Sequence, residues 1–341
     1  MPKNDHYAIV VGISTYPDPS LKDLQGPVSD ARAFCQWLRD PTGGDLDAQN
    51  IKCLLTTDFH PPDPTGPQDA HPIPNEIDVL FEQFVSQGLQ GRIGERLYIF
   101  VAGHGFSDTQ NVENNSLYAA NARGSFPYNT AITHYASWFY RCAVFDEIVL
   151  IMDCCRTRNP MHSVNLPPLP ISQGSARASR VRKFYAFATG WGLETREKKF
   201  DDGTWSGIFT TALLKALKNT KPDSQGQVTG QGIKNYVHNV FKSVAGNIPV
   251  EPPDIQVDSS RDIIFRKTVN AAIHSVEIFL QTHTGQETLV FYDGSGEELL
   301  QAQATSPSLK FNFETGFYKV VVADTDRSEL FEVPADAKVT V

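Results

Sequence analysis

Four short apolar runs, each separated from the next by a segment with helical or turn character, constrain this chain more than any other feature. They are Tyr7–Ile13, Ile51–Leu55, Leu97–Ala102 and Glu147–Met152. Between them, Val28–Leu38 places Ala31, Phe34, Cys35 and Leu38 on one face of a helix. Asn75–Phe84 reads as a second helix with Asn75 as its N-cap, and Thr130–Tyr140 as a third. Runs that are apolar throughout belong to strands buried on both faces. Strands alternating with helices therefore predict an α/β fold, a mainly parallel sheet flanked by helices. A further strand is expected at Phe184–Ala188, helices at Gly207–Leu217 and Gly232–Phe241, and a last strand at Ile263–Phe265.

After Lys267 the pattern changes. Short runs such as Val276–Leu280, Thr288–Tyr292, Tyr318–Val322 and Lys338–Val341 are separated by turn residues such as Asp293-Gly294-Ser295-Gly296. That pattern predicts a small all-β sandwich, immunoglobulin-like in style. Charge marks the same break: residues 270–341 hold 11 acidic and 4 basic side chains, so they carry −7 of the chain's net −9. Two domains are expected, 1–267 and 268–341, the second a docking module for an activating partner protein. An acidic balance argues against a nucleic-acid surface. No apolar stretch approaches the roughly 18 residues of a membrane span, and no signal peptide is evident at the start. The five cysteines, Cys35, Cys53, Cys142, Cys154 and Cys155, form no disulfide framework, so a reducing cytoplasm is expected.

In open α/β sheets, ligands bind at the carboxyl ends of the strands. Two polar clusters sit at such ends: Gly103-His104-Gly105 after the third run and Asp153-Cys154-Cys155 after the fourth, with 51 residues between His104 and Cys155. A cysteine thiolate can attack a carbonyl carbon when an imidazole poises it and later protonates the leaving group. Glycines beside the histidine let backbone approach a substrate and expose N–H groups to a developing oxyanion. A single buried cysteine or histidine is usually packing. The pair at neighbouring strand ends points instead to nucleophilic catalysis. Asp45, Asp47 and Asn50 lack the EF-hand spacing, His60 and His71 lack a third ligand, and no glycine-rich phosphate loop occurs, so no metal site is read.

The ordered motifs resemble the caspase–metacaspase superfamily. Tyr7–Ile13 followed by Leu24-Gln25-Gly26-Pro27-Val28-Ser29-Asp30-Ala31 looks like its first strand and Asp-Ala helix start. Ala102-Gly103-His104-Gly105 looks like its Ser-Gly-His-Gly, Asp153-Cys154-Cys155 like the metacaspase Asp-Ser-Cys, and Ser206–Leu214 like its Gly-x-Phe-Thr-x-Ala-Leu helix. The resemblance spans roughly residues 7 to 266 and implies a cysteine endopeptidase. In it Cys155 and His104 form the dyad, and the Gly105 and Cys155 N–H groups form the oxyanion hole. Asp30 and Asp153 line the S1 pocket. Two carboxylates in that pocket attract Arg or Lys and repel Asp. One departure is plain: the metacaspase motif continues Cys-His-Ser-Gly, whereas Cys155 is followed by Arg156-Thr157-Arg158.

Residues 156–183 are rich in Pro, Ser and Arg without periodicity and are expected to be a flexible loop. Arg177, Arg180, Arg182 and Lys183 match the expected pocket, so self-cleavage there is anticipated. A second loop, Glu194–Thr204 with Arg196, Lys198 and Lys199, is expected to line the cleft, with Trp191 or Trp205 walling S2. Some metacaspases require calcium, and a calcium requirement is therefore kept open. The competing reading is a catalytically inactive caspase-like scaffold; a third is an effector of bacterial defence switched on by a partner.

Overall fold

The computed structural model describes residues 3–341 apart from 61–63, 110, 159–161, 172–174, 224, 259, 268–272, 295, 324 and 334. A six-stranded sheet runs through its first part. The strands are β1 (His6–Gly12), β2 (Ile51–Leu55), β3 (Gly94–Ala102), β4 (Phe145–Asp153), β5 (Arg182–Phe187) and β6 (Asp254–Val257). Their spatial order is β6-β5-β4-β3-β1-β2. All neighbours pair in parallel except β6, which runs antiparallel to β5 at one edge.

Helix α1 (Pro27–Arg39) covers one face, where Phe34 stacks on Phe100 with ring centroids 4.7 Å apart. Helices α2 (Pro74–Gly88) and α3 (Ile132–Cys142) cover the other, and Ile77, Phe81, Tyr135 and Phe139 share a buried cluster with Leu97, Ile99, Val101 and Leu150. Alternate residues of β3 thus feed two cores, which is why its run is apolar without a break. Helix α2 begins earlier than the sequence pattern places it. Ile73, not Asn75, is its N-cap; Pro74 occupies the first turn, and the Glu76 carboxylate accepts from the Ile73 N–H at 2.7 Å.

The described residues form two compact units, 1–211 with 248–263 and 212–247 with 264–341. The first contains the sheet and α1–α3. The second joins most of α4 (Ile208–Asn219) and all of α5 (Gly230–Ala245) to the C-terminal β-region. The strand at Ile264–Lys267 pairs antiparallel with Gln227–Thr229 and stays outside the six-stranded sheet. Seven C-terminal strands make a four-stranded antiparallel sheet and a three-stranded mixed one. Val276, Ile278 and Val339 of the three-stranded sheet and Leu289, Phe291 and Val320 of the other share one core, so the pair is a sandwich. The domain junction expected after residue 267 falls at 268–272, outside the described residues.

Candidate active site

Register builds the site. Ala102 of β3 lies opposite Asp153 of β4, and the Gly103 N–H donates to the Asp153 carbonyl at 3.2 Å. His104 and Cys155 each follow two residues beyond that pair, so they leave adjacent strand ends, about 4.8 Å apart, at one level. Both line a cavity of about 680 Å³ together with Asp30, Gly105, Asp153 and Trp205.

The two glycines around His104 have separate causes. Gly103 has φ +154°, and a Cβ there would lie 2.7 Å from Tyr16 Oη. A Cβ on Gly105 would lie 2.7 Å from Cys154 Sγ. Tyr16 in turn accepts the His104 backbone N–H at 2.9 Å, and its ring sits 4.7 Å from the imidazole. His104 Nε2 lies 2.7 Å from the Lys22 carbonyl. A carbonyl only accepts, so Nε2 carries the hydrogen and Nδ1 is the basic nitrogen. Burial lowers the His104 pKa, which keeps the ring neutral at pH 7.

The two cysteines part company at the strand end. Cys154 is 1 % exposed and packs in the core cluster. Cys155 is half-buried, faces the cavity, and its Sγ accepts from the Thr195 N–H at 3.4 Å. Burial raises both thiols above their ordinary range. Arg156 points away from the cavity into a buried network. It donates to Asn115 Oδ1 at 3.0 Å, pairs with Asp254 at 2.8 Å and stacks on Phe187 at 4.2 Å. Its backbone N–H donates to the Leu193 carbonyl at 3.0 Å, which ties the residue after Cys155 to the loop carrying Thr195. Arg156, the first residue to depart from the metacaspase pattern, is therefore built into the frame behind the cysteine.

Asp30 and Asp153 meet across Gly207. A Cβ at Gly207 would lie 2.1 Å from Asp153 Oδ2 and 3.2 Å from Asp30 Oδ2. Asp153 accepts from the Thr210 N–H and hydroxyl at 3.1 and 2.6 Å and from the Thr195 hydroxyl at 3.3 Å. Asp30 accepts from the Ser206 hydroxyl and, at 2.9 Å, from the Gly207 N–H. Burial raises both carboxyls, and for Asp30 repulsion from Asp153 adds to it. A two-stranded hairpin, Glu197–Lys199 with Trp205–Gly207, supplies the Ser206 and Gly207 donors. Glu197 fastens that hairpin to α1 by accepting the Gln25 and Gly26 N–H groups at 3.0 and 2.8 Å.

Comparison with known proteins gives the family. The profile of the caspase domain matches residues 5–248. The chain belongs to the caspase-domain family. Its fold is accordingly of the cysteine-peptidase type. No curated protein matches the sequence. Among solved structures, caspase-1 from Spodoptera frugiperda is similar at 13% identity and a TM-score of 0.49, covering 78% of this chain and 94% of its own. A protein from Geobacter sulfurreducens is similar at 12% identity and a TM-score of 0.45, covering 77% and 97%.

Several expected site residues of this caspase-domain protein fall elsewhere. Arg182 and Lys183 are not in a flexible loop. They open β5, where Arg182 pairs with the buried Glu147 and Lys183 lies 4.4 Å from the Tyr140 ring. A residue inside a central strand cannot reach a cleft without the strand leaving the sheet. Arg177 and Arg180 are exposed, on a single 3₁₀ turn before β5. The loop ahead of them is pinned in its described parts: Asn165 N–H to Asn129, Trp138 Nε1 to the Pro170 carbonyl at 2.9 Å, Ser175 N–H to the Arg141 carbonyl. Residues 159–161 and 172–174 of that loop lie outside the described residues. Trp205 lines the cavity, whereas Trp191 lies under the Arg158 guanidinium at 4.2 Å. Arg196 also lines it, and Lys198 turns to the Phe200 ring. Sequence reasoning gave no site role to Tyr16, the Lys22 carbonyl, Thr195, Ser206 or Thr210, although Thr195 falls in the loop expected to line the cleft and Ser206 and Thr210 in the Ser206–Leu214 motif.

The trio of metal-capable side chains among the described residues is Asp5, His6 and Glu95. His6 and Glu95 are among the first residues of β1 and β3, at the sheet end opposite His104. Burial lowers the His6 pKa there, and the charges of Arg96 and Lys3 add to it. No helix of the described residues is long and apolar enough to cross a membrane.

Proposed function

We propose that this chain is a cysteine endopeptidase that cleaves peptide bonds after arginine or lysine. The observation that carries the reading is the buried pair Asp30 and Asp153, set across Gly207 in the wall of the cavity that holds Cys155 and His104. Burying two carboxylates side by side is costly unless a cation enters between them. A guanidinium or ammonium of the residue before the scissile bond relieves that cost, and a carboxylate there would add a third like charge.

In this reading His104 Nδ1 takes the Cys155 proton as Sγ attacks the carbonyl carbon. The Lys22 carbonyl holds the imidazolium that results. The Gly105 and Cys155 N–H groups receive the oxyanion, His104 returns the proton to the leaving amine, and water then releases the acyl group.

The test is a fluorogenic panel with Arg, Lys or Asp before the cleaved bond, run on wild type and Cys155→Ala. Cleavage of the Arg and Lys peptides and its loss in Cys155→Ala are expected. Cleavage after Asp alone would overturn the pocket, and no cleavage of any peptide would favour an inactive scaffold. Self-cleavage, if the protein is made as a precursor, is proposed at Arg177 or Arg180. Incubated wild type is expected to yield fragments ending there, absent from Cys155→Ala; intact protein at full activity would sink the idea.

A further inference from the structure

We infer that the wall of the cavity facing away from the acidic pair is a second subsite, built on Arg123, that takes an acidic side chain on the leaving-group side of the cleaved bond. The inference rests on the peptidase reading above and extends it from one side of the scissile bond to both.

The cavity has two differently charged walls. Asp30, Asp153, Glu194 and Glu197 lie on the Thr195 side of Cys155, where Arg196 is paired with Glu194 at 3.1 Å. On the other side stand Tyr118, His162, Gly124 and Arg123. Tyr118 is hydrogen-bonded to His162, whose Nε2 lies 3.1 Å from the Gly124 carbonyl. Cys155 lines the same cavity as both groups. The Tyr118 N–H also donates to the His104 carbonyl at 2.9 Å, so this second wall is an extension of the histidine's own segment.

Direction follows from the chemistry. His104 protonates the amine that leaves, so the leaving half of the substrate lies on the histidine's side. With the basic side chain held by Asp30 and Asp153, the residues after the cleaved bond run along the Tyr118–Arg123 wall.

Arg123 is fitted for an anion there. Its Nε is buried and has no hydrogen-bond partner among the described residues. A buried donor without an acceptor gains from any acceptor that arrives. Its turn is firm: the Arg123 N–H donates to the Phe126 carbonyl at 2.9 Å and the Phe126 N–H returns to Arg123 at 3.1 Å. Asp18 is a charged neighbour, but its carboxylate accepts from the Ser20 N–H at 3.0 Å and from the Ser20 hydroxyl. A planar fork of donors suits a carboxylate in particular.

The experiment uses internally quenched peptides of one sequence, with arginine before the cleaved bond and Glu, Gln or Lys placed in turn at the three positions after it. A coumarin amide of the same arginine peptide has no residues on that side and reports the dyad and basic pocket alone. Wild type is expected to cleave the best Glu peptide about 10-fold faster than the Gln one, a ratio fitting one partly exposed charge pair. Arg123→Gln should bring the ratio to about 1, and Arg123→Glu should turn the preference toward Lys. A merely structural Arg123 would slow all peptides together and reverse nothing. Thermal melts establish that each variant folds; if Arg123→Glu does not, the wild-type ratio and Arg123→Gln decide. Coumarin cleavage with equal rates for Glu, Gln and Lys, or a Glu preference kept in Arg123→Gln, would overturn the subsite. An inert coumarin amide in wild type would instead overturn the peptidase reading, and this one with it.

Discussion

At the scale of single residues, the adjacent cysteines carry different loads. Cys155→Ala is expected to lower kcat/KM by at least about a thousandfold without loss of fold, since the sulfur faces the cavity. Cys154→Ser places a hydroxyl in the core beside Gly105 and is expected to cost about 1–2 kcal/mol of stability while peptide cleavage persists. Parallel melts and rates on the two variants separate these roles. The Asp30–Asp153 pair gives a sharper case. Both carboxyls titrate above their ordinary values in the fold, so the folded state holds protons that the unfolded chain has released. Stability therefore falls as pH rises from the ordinary carboxylate range toward the raised values, and the ionised pair is a burden at neutral pH. Asp153→Asn keeps an oxygen for Thr210, sets the amide toward the Thr195 hydroxyl and removes the charge that repels Asp30. It is expected to add about 1 kcal/mol of stability at pH 7.5, to flatten the loss of stability with rising pH, and to cut cleavage after arginine about a hundredfold or more. Melts across pH 4 to 8 with matched kinetics test both halves. A variant that melts lower and still cleaves after arginine would refute the account.

Elements show why part of this site was legible in sequence and part was not. The core strands β1, β3 and β4 announce themselves because two faces of packing demand apolar residues at every position, and the polar residues that end them stand out for the same reason. His104, Cys155 and Asp153 lie at or next to such ends and Asp30 in the first turn of α1, and the structure brings all four to one cavity. The edge strand Asp254–Val257 is only four residues long and half polar, too short to carry a pattern, although Asp254 is the partner of Arg156. The hairpin formed by Glu197–Lys199 and Trp205–Gly207 was silent as a pair of strands and reads in sequence as a loop lining the cleft, because its residues are chosen for what they reach, not for a buried face. The self-cleavage segment misled for the opposite reason. Its basic residues suggested an open loop, but Arg182 is held in β5 by Glu147, a carboxylate that also pairs with the buried Arg96. The silent hairpin yields a test at this scale. Glu197→Ala frees two N–H groups at the start of α1 and loosens the strand that presents Ser206 and Gly207 to Asp30. KM for arginine peptides is expected to rise about tenfold with little change in kcat, because the dyad is held by other segments. A fall in kcat at constant KM would show that the hairpin acts on the dyad instead.

At the scale of the whole molecule, the charge step near residue 268 suggests a detachable acidic module, and the packing around it argues otherwise. Helices α4 and α5 precede that step in sequence, yet the compact unit that holds the sandwich includes both beyond residue 211. Tyr236 of α5 is 1% exposed and its ring lies 5.3 Å from Phe317 of the sandwich. Lys215 of α4 pairs with Glu332 at 2.7 Å, and Asn239 of α5 donates to the Gly294 carbonyl at 2.7 Å. Removing residues 268–341 would expose this face to water and leave an aromatic surface with no cover. A chain ending at residue 267 is therefore expected to aggregate on expression, or to melt well below the full chain, even though it keeps every residue of the cavity. Restoring the sandwich as a separate polypeptide should rescue solubility if the face is the cause. A truncated chain that stays monomeric and melts with the full one would show that the helices are held without the sandwich. The region would then be free to serve as a docking module. The expected failure would instead make it a structural part of the fold, with any partner limited to the surfaces that α4 and α5 leave uncovered.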